Sequence, residues 1–153
     1  MIAPLPTFAA TDAPLTDANI AAIVVAANDI DIKAGKLAQK TSDNPAVKNL
    51  GEVMVRDHEA VNAQARDLVK KLNVTPQDND LSRKLKADAA TTYASLESKT
   101  GAEFDRAYAA NEVAYHEAVI SVIGQTLLPV GKNAELTALL GQGRWQMIAA
   151  LVT

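Results

Sequence analysis

A chain of 153 residues can bury one apolar core without crosslinks, and the absence of cysteine excludes disulfides, thiolate metal sites and cysteine nucleophiles. A formal net charge of -3, with no run of lysine or arginine, leaves no footprint for nucleic acid or an anionic membrane surface. Abundant alanine beside only 4% aromatic residues and 7 glycines favours close-packed helices over sheet. The expected fold class is therefore all-α.

Residues 1–15 hold Pro4, Pro6 and Pro14, which remove backbone donors and favour extended chain, so they read as an irregular arm before a single domain over 16–153. The opening stretch, Met1 to Ala10, lacks the basic start of a signal peptide and looks like the tail left after one, restarted with methionine, which suggests export. Thr16 or Asp17 can cap a first helix running to about Thr41, with Ile20, Val24, Ala27, Ala34, Leu37 and Ala38 on its inner face. Asp31 falls on that same face. The longest apolar run, Ile20 to Ile32, is interrupted by Asp29 and Asp31 and falls short of the roughly 18 residues of a membrane span, so a soluble chain is expected.

Ser42-Asp-Asn-Pro45 is a turn in which Asn44 caps and Pro45 opens the second helix, where a missing N–H costs nothing. That helix runs to about Asn73, with Leu50, Met54, His58, Val61, Ala65, Leu68 and Leu72 on one face. The short turn makes the first two helices antiparallel. Counted outward from it, Asp31 and His58 lie within roughly 4 to 5 Å of the same height at about 1.5 Å per residue.

A loop from Val74 leads to a more polar helix over about Asp80 to Ser98, whose thin stripe of Leu81, Leu85, Ala89 and Leu96 places it outside the core as a crossover. Thr100-Gly-Ala-Glu103 has capping-box spacing and opens the third core helix, ended by Pro129. Asn133 can cap a fourth, with Leu136, Leu139, Leu140, Met147 and Leu151 inward. The expectation is four antiparallel core helices plus one crossover helix, which is long enough for the third core helix to start at either end.

The chemistry lies in polar residues set into apolar stripes: Asp31 on the first helix, His58 with Asp57 beside it on the second, Glu112 and His116 on the third. An unpaired carboxylate in such an interior is costly and needs a partner. Opposite residues can supply it as Asp-His or Glu-His pairs, which gives a structural or partner-binding protein, with homodimerisation left open. A metal ion can also supply it, since imidazole and carboxylate suit zinc, iron or manganese. Convergence of ligand types from three helices favours metal. A di-metal oxidase or peroxide-handling enzyme is a third reading, but its Glu-x-x-His pattern would need carboxylates at Val55 and Val113. Tyr108, Tyr115 and Trp145 read as packing residues. Ser82, Ser95 and Ser121 have no histidine at a suggestive spacing, and no Gly-rich phosphate loop occurs.

Met54-Val-Arg-Asp-His58, Phe104-Asp-Arg-Ala-Tyr108 and Asn111-Glu-Val-Ala-Tyr-His116, with Gly35-Lys-Leu-Ala38 and Asn44-Pro-Ala-Val47, resemble the hallmark segments of the bacterial domain-of-unknown-function family 4142. The resemblance spans about Thr16 to Leu151. It implies a ferritin-like four-helix bundle exported to the periplasm of Gram-negative bacteria, often labelled an outer-membrane protein, with no established activity. By the same resemblance the helix-one acid falls on Asp31, where a glutamate is usual, the Asp-His pair on Asp57 and His58, and the helix-three histidine on His116. The histidine usual in the last helix falls on Ala150, which cannot coordinate a metal.

Overall fold

Four of the five α-helices begin where a capping side chain satisfies amides that have no partner within the helix. Thr16 and Asn19 exchange a capping box at the start of α1 (Asp17–Thr41); Asn44 accepts from the Ala46 amide with Pro45 at the first position of α2 (Pro45–Lys71). Asn79 and Ser82 form a second capping box on α3 (Asp80–Glu97), and Asn133 Oδ1 accepts from the amides of Glu135 and Leu136 at the head of α5 (Ala134–Val152). The start of α4 (Gly101–Val122) differs from its expected capping box: Thr100 makes no side-chain cap bond, and Gly101 enters at φ 57°, a left-handed conformation suited to glycine. The computed structural model describes residues 14–152, apart from the side chains at 146 and 149–152, and contains no strand among them. The proposed arm thus lies mostly outside the described residues, as do the side chains of Ala150 and Leu151.

Directions follow from contacts at the two ends. Ser42, in the turn between α1 and α2, donates to Asp105 near the start of α4 at 2.6 Å. At the other end Lys71 pairs with Glu135 at 2.8 Å, the Lys132 amide donates to Asp17, and Asn79 Nδ2 donates to the Asn19 carbonyl. α3 therefore travels the length of the molecule, and α4 runs in the same direction as α2. The core helices in contact, α1 with α2, α1 with α4, α2 with α5 and α4 with α5, all run antiparallel as expected, and the crossover settles the end at which α4 starts by returning the chain to where α2 set out. α4 does not stop cleanly before Pro129 but continues as a π-helical stretch, Ile123–Leu127.

α1 and α2 approach closely at Gly35 and Gly51. A Cβ on Gly51 would lie 2.6 Å from the Gly35 carbonyl oxygen, and one on Gly35 would lie 2.8 Å from that of Gly51. Only hydrogen fits at both positions. Two apolar clusters fill the interior, one around Ile20, Ile23, Leu68, Val119, Ile123, Leu127, Leu136 and Leu140, the other around Ala34, Leu37, Ala38, Leu96, Phe104 and Tyr108. Between them along α1, α2 and α4 lies a buried polar layer: Asn28, Asp31, His58, Asn62, Glu112 and His116. Trp145, expected to pack, is 69% exposed on α5.

Candidate metal centre

The polar layer is built from pairs at helical spacing, Asn28 with Asp31, His58 with Asn62, and Glu112 with His116, so each helix contributes two groups to one face. Asp31 Oδ2 lies 2.7 Å from His58 Nε2 and 3.8 Å from His116 Nε2. The two rings are tilted with centroids 5.6 Å apart. One ligand atom from each of Asp31, His58 and His116 falls within 4.8 Å of the others, and all three residues are buried. Glu112 stands to one side, its Oε2 3.6 Å from Nδ1 of His116, because a residue one turn earlier on the same helix meets the near edge of the ring.

The other ring nitrogens are taken. His58 Nδ1 sits 2.7 Å from Asn28 Oδ1, and His116 Nδ1 sits 2.8 Å from the Glu112 carbonyl. Both partners are acceptors, so each Nδ1 carries a hydrogen and donates it. A neutral ring then presents a lone pair at Nε2, and both Nε2 atoms face the same carboxylate. Although His58 Nε2 is only 2.7 Å from Asp31, both Asp31 oxygens are buried without a formed hydrogen bond, as are both oxygens of Glu112 and the hydroxyl of Tyr108. So many unsatisfied polar groups in one place call for a partner, which protonated imidazoles or a bound ion could supply.

Electrostatics divide the two carboxyls. Burial raises the Asp31 carboxyl, but without a metal a hydrogen bond and positive charge from protonated His58, with the charge of protonated His116, outweigh that and hold it below the ordinary carboxylate range. Burial and the neighbouring Asp31 charge push Glu112 up to about 10, so it is neutral near pH 7. Burial, then Glu112 and Asp31, also raise Tyr108. Tyr115 is raised by the same causes and donates its hydroxyl to the Ala27 carbonyl at 2.6 Å. The pocket thus holds one localised negative charge faced by two imidazoles.

The profile of the family described as Domain of unknown function (DUF4142) matches residues 3–151, nearly the whole chain. The chain belongs to DUF4142. No curated protein and no solved structure matches it. Of the positions that the sequence of this DUF4142 member singled out, the fold brings Asp31, His58 and His116 together and sets Glu112 at their edge. Asp57 departs from expectation: it is exposed and pairs with Arg56 at 2.8 Å, because one residue along a helix turns the side chain about 100° away from that of His58. The sequence reading missed Asn28 and Asn62. Their signal was present, since each lies one helical turn from a predicted polar residue on the same face.

Proposed function

We propose that this DUF4142 member is an exported, ferritin-like helical bundle that holds one divalent transition metal ion between α1, α2 and α4, with Asp31, His58 and His116 as ligands. The observation that carries the reading is the pair of Nε2 atoms aimed at a buried carboxylate while both Nδ1 atoms donate elsewhere. That is the arrangement a metal-binding histidine needs, its second nitrogen fixed by an outer acceptor. The separations of 2.7 and 3.8 Å bracket the roughly 3.3 Å expected between two ligands bonded at about 2 Å to one tetrahedral ion. Two imidazoles and one carboxylate suit zinc, iron or manganese, and a bound ion would supply a Lewis-acid centre with a coordination position left for a further ligand. The ferritin-like assignment is supported by the single long crossover and the parallel course of α2 and α4, with the polar layer at mid-height.

A second reading, a metal-free buried ion pair of protonated His58 with Asp31, is favoured by the 2.7 Å contact alone. Melting of chelator-stripped protein with zinc, manganese or anaerobic ferrous ion separates the two. An ion at about 100 times its dissociation constant stabilises by roughly 2.7 kcal/mol, which raises Tm by about 5 to 10 °C in a chain of this size. The shift should vanish in His58→Ala and His116→Ala and weaken on acidification, because protons compete for the imidazoles. No shift with any of the three ions, or one that persists in His58→Ala, supports the ion pair instead.

A further inference from the structure

A chain of side chains links the surface of the molecule to His58. Asn62 Nδ2 donates to Asp29 Oδ1 at 2.7 Å, Asn28 Nδ2 donates to Asn62 Oδ1 at 3.0 Å, and His58 Nδ1 meets Asn28 Oδ1 at 2.7 Å. Asn28 is 2% exposed and Asn62 1%, whereas Asp29 lies at the surface. Two adjacent buried amides are an expensive way to fill a core, since each would cost about 1 to 3 kcal/mol if left unpaired. The arrangement calls for an account beyond packing.

An asparagine amide fits its site in either of two orientations, yet here one end dictates both. A carboxylate accepts and does not donate, so Asn62 turns its NH2 to Asp29 and leaves its carbonyl for Asn28. Asn28 must then give its NH2 to Asn62 and its carbonyl to the ring. A carbonyl only accepts, so Nδ1 of His58 must carry the hydrogen. We infer that Asp29, Asn62 and Asn28 are positioning residues that set the orientation and tautomer of His58 from the protein surface, leaving Nε2 as its ligand nitrogen. His116 needs no such chain, because its Nδ1 is held by the backbone carbonyl of Glu112, which no side-chain substitution removes. The purpose of the chain rests on the metal-site reading, while its effect on the ring does not.

The test follows the imidazole nitrogens by NMR in metal-stripped protein labelled with ¹⁵N-histidine, at one fixed pH. In the unsubstituted protein both rings should carry hydrogen on Nδ1. Asp29→Ala frees the outer end, and Asp29→Lys places a donor where the acceptor stood, so that Asn62 and Asn28 turn over and offer an NH2 to the ring. The fraction of His58 protonated at Nδ1 should fall in Asp29→Ala and further in Asp29→Lys, with His116 unchanged throughout. Asp29→Asn, whose amide can present either its oxygen or its NH2 to Asn62, should keep more of the original state than Asp29→Ala. Asp29 is exposed, and a thermal melt of each variant checks that it folds before its rings are read. In parallel the zinc dissociation constant should rise roughly 10- to 100-fold in Asp29→Lys and much less in Asp29→Asn. A bare Nδ1 on His58 in the unsubstituted protein, or identical His58 signals in the alanine and lysine variants, overturns the inference even if zinc binds. Loss of Nδ1 hydrogen in a protein that binds no zinc upholds the positioning chain and rejects only the metal reading.

Discussion

Asp31 and Glu112 show how two carboxyls in one buried layer take opposite states. Asp31 is held ionised by the flanking imidazoles, and that charge, added to burial, keeps Glu112 protonated up to about 10 against an ordinary 4.5. Between those values the folded chain holds a proton at Glu112 that the unfolded chain has released, so folded stability falls as pH rises through this window and is fully retained below it. An amide carries no such penalty. In metal-stripped protein Glu112→Gln should therefore be more stable than the parent, with an advantage that widens from about pH 5 to about pH 9. Urea melts at each pH measure it, and titrations shared by both proteins cancel in the difference. An advantage constant with pH would mean that Glu112 titrates normally. At this scale Asp31, His58 and His116 were legible in the sequence because a charge or imidazole on an apolar stripe has no cheap place to go. Asn28 and Asn62 carried a weaker signal, their place one helical turn from Asp31 and His58, which is easily passed over because a neutral amide is common on exposed helix faces.

Among the elements, the close approach of α1 and α2 has the clearest energetic consequence. Gly35 lies one turn beyond Asp31, so the spacing it permits helps to set how near Asp31 comes to His58. Gly51→Ala would drive a Cβ to 2.6 Å from a backbone oxygen and force the helices apart. Overpacking of this kind costs about 1 to 3 kcal/mol, which should outweigh the roughly 1 kcal/mol that alanine gains over glycine in a helix. The same substitution at Gly141, where an added Cβ meets nothing within 4 Å, should stabilise by about 0.5 to 1 kcal/mol. Opposite signs for the two variants in thermal melts support this account; matching signs would refute it. The helix starts at Thr16, Asn44 and Asn133 were readable because capping chemistry is local. The π-helical stretch at Ile123–Leu127 was not, since a single register slip leaves the apolar pattern almost unchanged on either side. Thr100 misled for a related reason: the spacing of a capping box does not record the backbone angle at which Gly101 enters.

In the whole molecule, a polar layer lies between two apolar clusters, and α3 spans the outside with only Ser82 and Leu96 buried. Amides of α3 should therefore exchange with solvent well before those of α1, which is buried along its length, and hydrogen exchange read helix by helix would show it. The helical class and the crossover were visible in the apolar periodicity. The direction of α4 was not, because a crossover of that length can deliver the chain to either end. The side chains of Asp31, His58 and His116 are at most 7% exposed, and under the proposed metal reading this bears on time as well as affinity. A chelator cannot touch an ion seated there until α1, α2 and α4 part, so metal should leave at the tempo of helix opening. Its loss to excess chelator should follow one rate that does not change with chelator concentration, and Gly51→Ala should quicken it.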